Sequence, residues 1–232
     1  MASITRRLKR LRHRERVLRN NLLGSSSSWG APPSDEEYDR ALAYRVLMHA
    51  EIERYLEDAL AAALLSSLEI FHNLGKVTHP AASALSHYRS KCFLDGQESA
   101  DSGFADSQEI ARYAQVKLED VVKWIEGAVV KNNNGIKPAD IRKLMGWLGI
   151  NLSQLDPNLL DALRTLATER GDAAHLSRRE IWRRYSGRST PAGASKIRRL
   201  PSPSDEVAAV DAVLKLLPQL DRIVQARLRD AV

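Results

Sequence analysis

The chain has 232 residues, of which 44% are hydrophobic and 28% charged, with a single cysteine. That length and balance fit one well-buried core rather than a disordered or fibrous chain, and a lone Cys92 excludes an intrachain disulfide and the cysteine-rich zinc patterns, so a reduced, cytoplasmic setting is the default expectation. The formal charge of +6 favours a polyanionic partner, and no apolar run approaches the roughly 20 residues needed to span a bilayer.

The first predicted element is a helix from Ile4 to Leu23. Leu8, Leu11, Val17, Leu18 and Leu22 are partly aligned on it, and Arg6, Arg7, Lys9, Arg10, Arg12, Arg14, Arg16 and Arg19 surround them. Such a basic arm follows a phosphate backbone or lies on an acidic partner; a solvated, frayed terminus is the plainer alternative. Residues 24 to 33 (GSSSSWGAPP) break any helix and read as a flexible linker, which divides the chain into an arm plus linker at 1–33 and a helical domain at 34–232.

Ser34 is placed to cap the next helix, with Asp35, Glu36 and Glu37 in its first turn, where the helix dipole favours anions. This helix is predicted to reach Phe71, with a buried stripe through Leu42, Val46, His49, Ile52, Leu56, Leu60 and Ala63, while Arg54, Glu57 and Asp58 face outward. His49 falls on the apolar stripe. It reads first as a core histidine with a satisfied hydrogen bond, and second as a residue lining a cleft.

A shorter helix, Ala81 to Phe93, follows the Gly75 and Pro80 turn, with His79 and His87 read as surface residues. Asp95 to Gly103 is a polar loop. A third helix runs from about Asp106 to Lys131 and is closed by Asn132-Asn133-Asn134-Gly135, residue types that tolerate the left-handed conformation. Pro138 opens a short helical insert ending near Leu148, in which Trp147 reads as packing, and Pro157 launches the next helix.

On that helix Leu160, Leu163, Leu166 and Ala167 define a core face, and Arg170 arrives three and four residues beyond it. Gly171 predicts a local bend before a further helical segment from Ala173 to Tyr185, which adds Arg178, Arg179, Arg183 and Arg184 close to His175. These four arginines read as a second polyanion-binding cluster, with a solvated charged face as the plainer alternative. Residues 186 to 203 form a long basic loop, and Ser204 is placed to cap a last helix in which Pro218 predicts a kink. No phosphate-binding glycine loop and no G-x-S-x-G elbow is present, and the six histidines show no metal-ligand spacing, so neither a metal nor another cofactor is expected.

Arg170 and His175 form an R-x4-H motif at the end of an amphipathic segment. A guanidinium suits phosphate oxygens, and an imidazole moves protons near neutral pH. Motif and context together resemble the HEPN superfamily, and within it the RiboL-PSP type, over roughly Ser34 to Val232. The resemblance implies an all-α, up-and-down helical bundle with a small helical insertion, here preceded by the basic N-terminal helical arm. It implies a metal-independent endoribonuclease of toxin or antiphage defence systems, with Arg170 and His175 catalytic and Asp172 and His49 supporting. Arg178, Arg179, Arg183, Arg184, Arg6, Arg7, Arg10 and Arg14 are the expected RNA contacts. A homodimer pairing two motifs across a two-fold axis is implied as well, with an antitoxin or regulatory protein as a possible further partner and no membrane association. The family often carries Asn, Asp or His directly after the arginine, where this chain has Gly171; an inactive HEPN domain that binds RNA or dimerises is therefore the second expectation.

Overall fold

A computed structural model describes residues 5–24, 34–94, 106–133, 135–175 and 202–230, without the side chains of 91–94, 169 and 171–175. The chain folds into α1 (Arg6–Leu22), α2 (Asp35–Leu74), α3 (His79–Leu94), α4 (Ser107–Trp124), α5 (Pro138–Gly146), α6 (Pro157–His175) and α7 (Pro203–Arg229). A π-helical stretch, Ile125–Val130, continues α4, and a 3-10 turn, Leu152–Gln154, precedes α6. The described residues contain no strand, so the fold is the all-α bundle the sequence implies.

Helix ends follow from local chemistry. Ser34 accepts from the Glu37 backbone while the Glu37 carboxylate accepts from Ser34 N–H at 2.7 Å, a reciprocal cap that starts α2. Gly75 ends it at φ +66, where a β-carbon is disfavoured. Asp106 caps α4, its Oδ1 accepting from Glu109 N–H at 2.8 Å. At α7 the cap is Ser202 rather than Ser204: Asp205 returns a carboxylate to the Ser202 N–H at 2.8 Å, and Pro203 takes the first helical position, where no donor is needed. The helix runs through Pro218 without interruption.

The central element is α2, which touches α1, α3, α4, α5, α6 and α7. Being packed from several sides, it buries more than one stripe: Ala41, Tyr44, Arg45, Met48, Ile52, Tyr55, Leu56, Leu60 and Leu64 are all inside. Two charged links join it to α7. Arg45, 2% exposed, forks onto Glu206, 0% exposed, with Nε 2.7 Å from Oε2 and Nη2 on Oε1. The Tyr55 hydroxyl donates to Asp221 at 2.8 Å.

In the structure α1 is a member of the bundle. Leu8, Leu11 and Leu18, with Leu23 after the helix end, join the same core as α2 and α7; each buried leucine contributes on the order of 2 kcal/mol. Polar links add to the packing. Thr5 donates to Asp221 at 2.5 Å, Glu15 is buried and accepts from the Tyr44 hydroxyl at 3.1 Å, and Arg14 Nε meets Glu51 at 2.8 Å. Neither a free arm nor a frayed terminus describes this helix. Its leucine stripe was masked by the cations on its other faces.

Candidate active site

The apolar stripe of α6, Leu159, Leu163, Leu166 and Ala167, is buried. Arg170 lies three residues beyond Ala167 and four beyond Leu166, so it stays on the core-facing side and is half-buried. Its Nε is buried and finds no hydrogen-bond partner among the described residues. The helix continues through Gly171 as far as His175. The motif arginine and histidine therefore share one helix, five residues or about 7.5 Å of rise apart. Asp172 is on the same helix, and the side chains of Asp172 and His175 lie outside the described atoms.

Against Arg170 the fold sets a polar cluster carried by α2 and the approach to α5. His49 is 3% exposed, and its Nδ1 has no hydrogen-bond partner among the described residues, contrary to the expectation of a satisfied core histidine. The imidazole nitrogen stands 3.7 Å from Glu53 Oε2, beyond hydrogen-bond range. Burial first, and the Arg170 charge second, push the His49 pKa down to about 4, while Asp140 pulls the other way. His49 is thus neutral at physiological pH.

Glu53 and Glu57 are half-buried one turn apart, and burial raises both carboxyls above the ordinary range. Glu57 adds to the rise at Glu53 and Arg170 opposes it; at Glu57 the opposing influence is a hydrogen bond from Asn133. The Asn133 amide donates to Glu53 at 3.2 Å, to Glu57 at 3.0 Å and to the Gly135 carbonyl at 3.1 Å. Gly135 is buried where any β-carbon would stand 2.6 Å from an Asp140 carboxylate oxygen, so glycine lets this loop close on α5.

The sequence reading placed Glu57 on an outward face and did not single out Glu53, Asn133 or Asp140. A signal was present: His49, Glu53 and Glu57 recur every four residues beside the apolar stripe, a polar line where a one-sided helix would bury only carbon. Among the described residues, no group of three or more His, Cys, Asp or Glu side chains is arranged to hold a metal ion.

The expected RNA contacts divide three ways. Arg6 and Arg10 are exposed on α1. Arg14 is engaged by Glu51, and Arg7 is half-buried with its Nε unpartnered among the described residues, its charge acting on Tyr55 beside Asp221. Arg178, Arg179, Arg183 and Arg184 lie outside the described residues. Trp147 packs as expected, with its ring tilted against Trp124 at 5.4 Å and exposed His87 against it at 5.2 Å, while Tyr88 meets Trp124 edge-on at 5.5 Å.

A family model described as RiboL-PSP-HEPN matches residues 9–198. The chain belongs to that family. The matched stretch begins inside α1 and includes α6 with both motif residues, so the RiboL-PSP-HEPN unit takes in the first helix as well as the motif helix. No curated protein and no solved structure matches the chain. No described helix is long and apolar enough to cross a membrane.

Proposed function

We propose that this RiboL-PSP-HEPN chain is a metal-independent endoribonuclease of a toxin or antiphage defence system, with Arg170 and His175 as its catalytic pair. The observation that carries the reading is the position of Arg170: a half-buried guanidinium whose Nε donor is unused among the described residues, on the helix that also bears His175, in a chain of this family. A partly desolvated cation binds phosphate more strongly than one in water, and its fork suits two phosphate oxygens.

The nucleophile is the RNA 2′-hydroxyl. It attacks the adjacent phosphorus as His175 takes its proton; the bond from phosphorus to the 5′ oxygen breaks, and an imidazolium protonates the departing oxygen. The products are a 2′,3′-cyclic phosphate and a 5′-hydroxyl. Arg170 stabilises the charge that builds on the pentacoordinate phosphorane. One imidazole serves poorly as base and acid at once, which favours a homodimer in which a second motif supplies the other. Exposed Arg6 and Arg10, with Arg178, Arg179, Arg183 and Arg184, are the proposed contacts to the RNA backbone.

A second reading is an inactive HEPN domain that binds RNA or dimerises. The carboxyl group of Glu53, which feels the Arg170 charge, favours it, because it competes with a phosphate for that cation. Incubating the purified chain with RNA separates the two: cleavage lost in His175→Ala supports the first, and RNA retained intact supports the second.

A further inference from the structure

Between α1 and α7 lies an open cleft of about 340 Å³, lined by Arg12, Glu15 and Arg16 from α1 and by Asp211, Leu214 and Lys215 from α7. Helical period puts these residues there: Arg12 and Arg16 are one turn apart, as are Asp211 and Lys215, so each pair shares a face of its helix. Leu8, Leu11 and Leu18 pack with Leu214 and Leu217 in the common core, and buried Leu214 gives the cleft an apolar floor.

Charge is unmatched in this cleft, where three cations face two carboxylates. Glu15 is buried and already engaged, accepting from the Tyr44 hydroxyl at 3.1 Å with Arg19 at 3.9 Å. Among the described residues the side chains of Arg12, Lys215 and Asp211 have no hydrogen bond or ion pair, and Arg16 has only its Nε on the Arg12 carbonyl at 3.4 Å. Asp211 and Lys215 have the spacing of a helical ion pair, yet they do not pair. Like charges one turn apart repel, and an oxyanion among Arg12, Arg16 and Lys215 relieves that repulsion, with phosphate the best match to a guanidinium fork. Asp211 disfavours a bare polyanion and, being an acceptor only, asks the ligand for a hydrogen-bond donor. A phosphate beside a ribose hydroxyl carries both features, and the cleft falls within the range of roughly 300 to 1,000 Å³ usual for small-molecule sites.

We propose that the α1–α7 cleft is a ribonucleotide-binding site, in which Arg12, Arg16 and Lys215 hold the phosphate, Asp211 accepts from a ribose hydroxyl, and Leu214 lies beneath the sugar. None of its lining residues belongs to the motif helix α6, and the inference does not need Arg170 or His175. The chemistry is shared by a free nucleotide and by one residue of an RNA strand.

The test is calorimetric titration of the full chain with adenosine 5′-monophosphate, its 2′-deoxy analogue and inorganic phosphate. The ribonucleotide should bind in preference to the other two. Arg16→Ala and Lys215→Ala, both at exposed positions, should each weaken it roughly tenfold, the loss of one charge-assisted contact. Lys123→Ala, which removes the same charge from an exposed site on α4, should leave binding unchanged. Asp211→Ala separates a built site from diffuse attraction: the preference for ribose should vanish while inorganic phosphate binds more tightly. A short oligoadenylate, offered to the His175→Ala chain so that the strand is spared, then identifies the source. Displacement of the mononucleotide puts the cleft on the path of an RNA strand, and binding undisturbed by the strand makes a free nucleotide the ligand. Absence of ribonucleotide binding at millimolar concentration, no preference for ribose in the wild type, or equal losses in Lys123→Ala and the two cleft variants would overturn the proposal. A chain that binds the mononucleotide but cuts no RNA would sink the catalytic reading alone.

Discussion

A buried imidazole and a half-buried guanidinium do not both carry charge comfortably at close range, and the structure resolves that conflict in favour of Arg170. His49 stays neutral down to pH about 4. In the unfolded chain an imidazole titrates near 6.5, so between about 4 and 6.5 the unfolded state binds more protons than the folded one. The stability contributed by neutral His49 is therefore complete above about 6.5 and is lost as pH falls through that window, in total on the order of 3 kcal/mol. The raised carboxyls of Glu53 and Glu57 work in the opposite sense, losing stability as pH rises above their ordinary range. Proton NMR should find one histidine titrating near 4, and Arg170→Gln should move its midpoint upward; a midpoint near 6.5 in the wild type contradicts the buried, neutral assignment. The same contrast separates the two histidines in catalysis. An acid limb of the activity profile near 4 would transfer the role of base from His175 to His49.

At the level of elements, α1 shows how charge hides a buried face. Its cations gave the sequence the look of a polyanion-binding arm, yet Leu8 and Leu11 lie in the core with α2 and α7. The structure therefore predicts different outcomes for its apolar and its charged positions. Leu8→Ala should cost about 2 to 5 kcal/mol of stability in a denaturant titration. Arg10→Ala should leave that midpoint in place and reduce the salt dependence of RNA binding by about one unit of slope. Equal midpoints for the two variants would return α1 to the status of a loose arm. The buried Arg45 and Glu206 pair tests the α2 to α7 contact in the same way: Glu206→Gln removes the negative charge facing a guanidinium that is 2% exposed and should cost about 3 to 5 kcal/mol. An unchanged unfolding midpoint would mean that the pair contributes nothing net.

What was legible in the sequence follows from how local each signal is. The Ser34 cap, the turn at Gly75, the proline starts of α5 and α6 and most of the apolar stripe of α6 depend on residues within one turn of each other, and each was legible. The stripe on α2 was too narrow because a helix enclosed on several sides buries residues that a single period assigns to water. Asn133 and Asp140 lie 80 and 87 residues beyond Glu53 in sequence and are brought toward it only by the fold, so no spacing rule joins them. Arg45 and Glu206 are 161 residues apart. Arg45 sits within the α2 stripe as a charge among apolar residues, and nothing near it in sequence names its partner.

For the whole molecule, the catalytic proposal requires two motifs, because one arginine and one histidine must otherwise act on both sides of a phosphate. Solution mass by light scattering should be close to twice the 25.9 kDa of the chain; a monomer that still cleaves RNA would refute the shared site. The central claim itself is the chemistry at Arg170 and His175, and the most direct measurement is end-group analysis of RNA incubated with the purified chain in excess chelator, beside Arg170→Ala and His175→Ala. The account predicts that chelator does not inhibit, that DNA is uncut, that 5′ fragments end in 2′,3′-cyclic phosphate, and that each substitution lowers the rate roughly 100-fold or more. Fragments with 3′-hydroxyl ends, or cleavage that depends on added Mg²⁺, would contradict it.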